Sequence, residues 1–135
     1  MSIRYVEGIV PDQEALVALY SANGWSSAKK PIQLAAALGN SDHLIVAYEG
    51  DRLVGLANAI SDGHLVVYYP HLLVEPETQG KGVGLALMTR MLKKYKHVHQ
   101  HMLTAVADAV GFYKRVGFEK AGTTIPMWIY EGGDT

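Results

Sequence analysis

Leu72-Leu73-Val74-Glu75-Pro76-Glu77-Thr78-Gln79-Gly80-Lys81-Gly82-Val83-Gly84 is the stretch that decides the fold. An apolar run ends at Val74, Pro76 breaks it, and Gly80, Gly82 and Gly84 follow. Beyond them Val83, Leu87, Met91 and Leu92 recur at helical spacing as far as Tyr95, so an amphipathic helix starts near Gly82. The reading is a buried strand, a tight turn and a long helix. Glycines at the turn let the backbone approach a ligand without a Cβ clash. The helix start adds unpaired N–H groups and the positive end of its dipole. Such a place binds phosphate, so the expected ligand is phosphorylated.

Two familiar phosphate loops do not fit. The dinucleotide fingerprint Gly-x-Gly-x-x-Gly needs an acid about 20 residues on. Here the third glycine comes one residue early, and Thr104 and Ala105 stand where the acid belongs. The P-loop ends Gly-Lys-Ser/Thr, whereas Lys81 is followed by Gly82. What remains is Gln-x-x-Gly-x-Gly at 79–84, after a strand ending Val-x-Pro. With Gly111-Phe112-Tyr113-Lys114-Arg115-Val116-Gly117-Phe118 some 30 residues later, this resembles the GNAT acetyltransferase superfamily. Its members grip the pyrophosphate of acetyl-CoA with Gln/Arg-x-x-Gly-x-Gly/Ala. They also carry a later helix ending Phe/Leu-Tyr-x-x-x-Gly-Phe. The resemblance runs from about residue 3 to residue 130.

Composition narrows the classes. The length, 135 residues, suits one domain, taken as 1–135. At 49% hydrophobic the chain can build a sizeable core. No apolar run approaches the ~20 residues of a membrane span, and Met1-Ser2-Ile3-Arg4-Tyr5 does not read as a signal peptide. A cytoplasmic location without membrane attachment is expected. Twelve Lys and Arg against 13 Asp and Glu give a net charge of -1, which argues against nucleic acid as a partner. Cysteine is absent, so disulfides, thiolate metal sites and an acyl-cysteine intermediate are excluded. For an acyl group, direct transfer within a ternary complex is then the simpler route.

Along the chain, residues 3–10 read as a strand and a helix follows Pro11-Asp12. A second helix runs from Pro31 to Leu38, stopped by Gly39-Asn40. Residues 43–48 and 52–60 form a hairpin around Glu49-Gly50-Asp51. His64 to Val74 reads as one long strand and Met102 to Val106 as a short one. Asp108 is the expected N-cap of a helix over 109–116. Phe118 and then Thr123 to Tyr130 supply the last strands. The order β-α-α-β-β-β-α-β-α-β-β agrees with the fold the resemblance implies. That fold is α+β in α/β/α layers, with a mixed, mostly antiparallel sheet flanked by helices and two splayed central strands.

The resemblance implies residue roles. Gln79, Gly80, Lys81, Gly82, Val83 and Gly84 hold the pyrophosphate, mainly through backbone N–H groups. Leu73 and Val74 offer main-chain hydrogen bonds to pantetheine. Tyr113 stands where family members keep a tyrosine by the departing thiolate; the plain alternative is a half-buried packing residue. Phe112 packs beside the cofactor or in the core, and Lys114 or Arg115 meets the 3′-phosphate or solvent. An Asn common seven residues before that tyrosine is replaced by Val106. Tyr68 occupies the place of the strand carboxylate or histidine that often serves as base, and Pro70 the next inward one. A base acting through water from His71, Tyr68 or a backbone carbonyl remains; strand alternation turns His71 away from Leu72 and Val74, and the plain alternative is a surface or edge histidine.

His97, His99 and His101 alternate as a zinc trio could, but loop histidines are the expected reading, with no metal. On the acceptor side Tyr20, Trp25, Tyr68, Tyr69 and Trp128 offer aromatic surface or core. Ala22-Asn23-Gly24-Trp25, the run from Leu53 to Asp62, and Met127-Trp128-Ile129-Tyr130 resemble a small branch of plant-type serotonin (arylalkylamine) N-acetyltransferases. The expectation is therefore an acetyl-CoA-dependent N-acetyltransferase for a primary amine, small or on a protein lysine or N-terminus. A non-catalytic acyl-CoA-binding module on the same fold is the alternative. A homodimer paired through an edge near Met127 to Tyr130 is a further expectation.

Overall fold

The central strand sets the architecture. Strand β3 (Arg52–Ser61) is buried from Leu53 to Ala59, so both of its faces are covered. It pairs antiparallel with β2 (His43–Glu49), which pairs antiparallel with β1 (Arg4–Glu7). The β2–β3 register shifts at Ala47/Tyr48: Ala47 opposes Gly55 and Tyr48 opposes Leu53, leaving Val54 as the extra residue of a bulge. This resets which face each later side chain meets. The computed structural model describes residues 2–132.

On one face lie α1 (Gln13–Ala22) and α2 (Pro31–Gly39), joined by a 3-10 turn over Ser26–Lys29. Leu16, Leu19, Tyr20, Leu34 and Leu38 pack there on Leu44, Val46, Leu53, Leu56 and Leu73. On the other face α3 (Val83–Lys94) sets Val83, Leu87, Met88 and Met91 against Ile45, Val54, Ala57 and Val67. The helix α4 (Val110–Arg115) adds Phe112 and Tyr113 to this second core. A helix/sheet/helix sandwich with a mostly antiparallel sheet results, as expected.

Three expectations need correction. The strand predicted over 64–74 is two strands, β4 (Val66–Tyr68) and β5 (Leu72–Val74), both antiparallel to β3. Between them Pro70 has no N–H for a ladder. His71 N–H bonds the side-chain oxygen of Asn58 (3.0 Å), while Asn58 N–H bonds the His71 carbonyl (3.1 Å). A side chain therefore stands in for part of the ladder at the break. Next, Asp108 caps nothing: it lies inside a 3-10 turn over Ala107–Ala109 that leads into α4.

Finally, the strands expected at Phe118 and over 123–130 do not form. A strand needs a neighbour for its main chain, and this stretch has none among the described residues. It is instead drawn toward the α1–α2 side, where Tyr130 and Ser26 hydroxyls lie 3.1 Å apart and Lys30 pairs with Glu131 at 3.7 Å.

Strand β6 (Gln100–Met102), expected at 102–106, runs parallel to β4 and closes the order β1-β2-β3-β4-β6, with β5 beside β3.

Candidate active site

The break between β4 and β5 opens the sheet. Strand β4 stays bonded to β6 as far as Tyr69, whose N–H donates to the Met102 carbonyl. Strand β5 leans on β3 alone. Its orientation follows from the ladder. The Asn58–His71 bond and the Glu75 N–H to Val54 carbonyl bond (2.7 Å) fix alternate pairs as the bonded ones. Leu73 therefore turns its main-chain groups to Leu56, whereas Leu72 and Val74 turn theirs into the gap. Leu73 thus loses the cofactor contact expected of it, and its buried side chain belongs to the α1–α2 core. Val74, named from the sequence, and Leu72, which was not, are the two residues of β5 whose main-chain groups face the gap. The Val74 carbonyl accepts Gln79 Nε2 at 3.1 Å. Gln79 thereby braces the start of the loop from the strand.

Helix α3 begins at Gly82, a left-handed residue at φ 88°, with no side-chain cap. An L side chain here would be strained, and the uncapped turn leaves the amides of Val83 and Gly84 pointing outward at the positive end of the dipole. Gly80 (φ 81°) and Lys81 lie exposed just ahead. At Gly84 three elements converge: a Cβ there would sit 3.6 Å from Phe112 Cζ and 3.7 Å from Val74 Cγ2. The two sequence motifs and the free side of β5 therefore share one place.

Tyr113 follows on α4, half-buried, its ring edge-on to Phe112 (5.1 Å) and Phe118 (5.9 Å). The Phe118 N–H bonds the Tyr113 carbonyl and the Gly117 N–H the Lys114 carbonyl, a glycine-terminated helix end that fixes the ring. Burial pushes the Tyr113 phenol above its usual range, so it is a hydrogen-bond donor at neutral pH. Lys114 and Arg115 are exposed, and no contact assigns them to a ligand.

The opposite face carries a second cluster. His71 Nδ1 lies 2.7 Å from the hydroxyl of fully buried Tyr20, and Trp25 stands edge-on to His71 at 5.0 Å and to Tyr20 at 5.7 Å. Burial pushes the Tyr20 phenol far up, so it stays neutral. A hydroxyl both donates and accepts, so Tyr20 suits either ring tautomer. When Nδ1–H donates to Tyr20, the basic lone pair sits at Nε2. Alternation places His71 with Leu73 and away from Val74, as expected.

Asn58, which sequence reasoning missed, holds His71 by its main chain and donates from Nδ2 to Ser41 Oγ (3.0 Å). An Asn inside an apolar strand was its only signal.

The rest of the expected aromatic wall is divided. Tyr69 turns to the α3 face against Tyr95, Phe118 and His101, and Tyr68 is partly exposed at the rim. Trp128 stacks on Tyr130 at 4.4 Å. The alternating histidines are split as well: His97 bonds the Gly63 carbonyl and His101 the Tyr69 hydroxyl. Among the described residues no three His, Asp or Glu side chains cluster as a metal site. No helix among the described residues is long and apolar enough to cross a membrane.

The acetyltransferase (GNAT) domain family model matches residues 17–126, and the chain belongs to that family. Among its relatives, the soybean (Glycine max) protein named histone acetyltransferase TAP1 is 34% identical over 118 residues, 77% of this chain and 50% of that protein. The ycf52 protein of Porphyra purpurea, named an uncharacterized N-acetyltransferase, is 30% identical over 104 residues, 72% of this chain and 59% of that one. The chain thus spans little more than half the length of these relatives. Among solved structures, the GNAT family protein SP0256 of Streptococcus pneumoniae superposes with a TM-score of 0.83 at 31% identity, covering 96% of this chain and 98% of that one.

Proposed function

We propose that the chain is an acetyl-CoA-dependent N-acetyltransferase acting on a primary amine by direct transfer. The observation that carries this is the meeting of Val74, Gly84 and Phe112 at one point, beside an uncapped α3 and next to Tyr113. The amides of Gly80 to Gly84 fit a pyrophosphate, with Lys81 adding charge. Leu72 and Val74 fit the amides of pantetheine, and the Val74 N–H would stabilise the tetrahedral oxyanion. As the C–N bond forms and the C–S bond breaks, the amine sheds a proton and the sulfur gains charge.

Tyr113 would hold that thiolate by a hydrogen bond. A thiol titrates near ~8.5 and a phenol near ~10, so Tyr113 stabilises the sulfur better than it protonates it outright. His71, oriented by Tyr20 and Asn58, is the candidate base, taking the proton through water. Trp25 beside it, backed by buried Tyr20, offers an aromatic face to the acceptor. This suits a flat arylalkylamine, while the name of the soybean relative supports a lysine side chain as the rival acceptor. A cytoplasmic setting belongs to the same proposal.

The experiment is a thiol-release assay with acetyl-CoA against tryptamines, polyamines, amino sugars, amino acids and lysine peptides. Turnover with one class supports the proposal and names the acceptor. Acetyl-CoA binding without turnover across the panel would make the chain a binding module.

A further inference from the structure

Glu75, the residue that follows β5, is held by β3 through both its main chain and its side chain. Its N–H donates to the Val54 carbonyl at 2.7 Å, and its carboxylate accepts from Arg52 Nη1. Val54 is the extra residue of the β2–β3 bulge, so the bulge gives its carbonyl to the chain that enters the glycine loop. Arg52 forks, and its Nη2 donates to Glu49 Oε1 at 2.6 Å, straight across the hairpin. The Glu75 oxygen that meets Arg52 also accepts from the Thr78 hydroxyl at 3.4 Å, and Thr78 is a buried polar residue. The Thr78 N–H returns to the Glu75 carbonyl at 2.8 Å, closing a 3-10 turn over Pro76–Thr78. Gly80, the first left-handed glycine of the loop, comes two residues later.

We infer that Arg52, acting through Glu75, is a positioning residue for the pyrophosphate loop. The bridge fixes the 3-10 turn, and the turn fixes where the amides of Gly80 to Gly84 are presented. The inference rests on the proposed cofactor site and gives Arg52 no contact with the cofactor. Lysine would not serve equally, because a planar guanidinium reaches two carboxylates at once and an ammonium is a point charge. Arg52 is half-exposed, and an exposed ion pair adds little to stability. The effect therefore belongs in ligand affinity rather than in melting. Its sign separates this role from plain charge. Glu75 is an anion at the entrance to a site for an anion, so repulsion alone would make its removal tighten binding. The bridge requires the opposite.

The test is acetyl-CoA affinity by calorimetry on the full chain, with amide exchange of the free protein beside it. Glu75→Gln and Arg52→Met should each weaken acetyl-CoA binding by roughly three- to tenfold. Their melting temperatures should stay within about 3 °C of the wild type. The double variant should lose no more than the worse single one, since both break the same link. Arg52→Lys should recover part of the affinity. In the free protein, exchange of the Thr78 amide should quicken in both single variants. Tighter binding by Glu75→Gln would reduce Glu75 to a repelling charge and overturn the inference. Additive losses, or Thr78 exchange unchanged in both variants, would overturn it as well. A wild type that binds no acetyl-CoA overturns the cofactor site and this role with it. A wild type that binds, with both variants matching it, overturns the role alone.

Discussion

Tyr113 and His71 are set apart by the sheet. Tyr113 faces the α3 side with Phe112 and Phe118, His71 the α1 side with Tyr20 and Trp25. Their roles should separate in the same way. Replacing Tyr113 by Phe removes one hydrogen bond to a developing thiolate, worth about 1.5–3 kcal/mol. The expected outcome is a kcat lower by roughly ten- to a hundredfold, with acetyl-CoA affinity by calorimetry nearly unchanged; equal loss of both would make the residue structural. Burial pushes the Tyr113 phenol above its usual range, so any alkaline loss of rate from its ionisation should come at higher pH than an exposed tyrosine would give. Tyr20→Phe tests the other face. The tyrosine positions His71, so kcat should fall and the pH–rate profile should shift, while the KM for acetyl-CoA holds. An unchanged profile would remove His71 from the chemistry.

At the scale of elements, the glycine loop, α3 and α4 were legible because their signals are local: glycine spacing, helical periodicity and a glycine-terminated helix end. The hairpin of β2 and β3 was legible for the same reason. What escaped was set by non-local partners. The break at Pro70 depends on Asn58, thirteen residues before His71 and on another strand. The side of β5 that faces the gap depends on ladder parity, so the sequence did not show that Leu72 rather than Leu73 turns its main-chain groups there. The alternating apolar pattern at 123–130 signals a strand, but pattern alone cannot supply a neighbour within the chain.

Gly55 is a further case. A Cβ there would meet Val83 Cγ1 at 3.1 Å, the Leu73 carbonyl at 3.2 Å and Leu87 Cδ1 at 3.3 Å. Backbone is among those neighbours, so α3 and β5 would have to part. Gly55→Ala should cost about 1–3 kcal/mol by overpacking, measured by urea unfolding. It should also weaken acetyl-CoA binding, because the α3 start shifts relative to Val74. A variant of wild-type stability would show that the contact is slack.

The molecule as a whole is two apolar cores on either side of one sheet, with the proposed cofactor site on the α3 side and the proposed acceptor site on the α1 side. The α3-side core carries a titrating element. His101 stacks on Tyr69 and shares a hydrogen bond with its hydroxyl, and burial lowers the imidazole below its usual range. A histidine depressed on folding binds fewer protons in the native state. Its contribution is therefore complete above about pH 6.5 and is lost as pH falls through the lowered folded value. The melting temperature should drop on acidification from pH 7 toward pH 5, and His101→Gln should flatten that slope. A slope unchanged by the substitution would place the acid sensitivity elsewhere.

On the proposed reading acetyl-CoA lies in the opening left by the break between β4 and β5, over the start of α3. The most direct measurement is a backbone amide NMR titration of the protein with acetyl-CoA. The largest shifts should fall at Leu72, Val74 and Gly80 to Gly84, with smaller ones around Tyr113 and none beyond long-range drift on α2. Saturable shifts confined to another surface, or no binding at all, would contradict it.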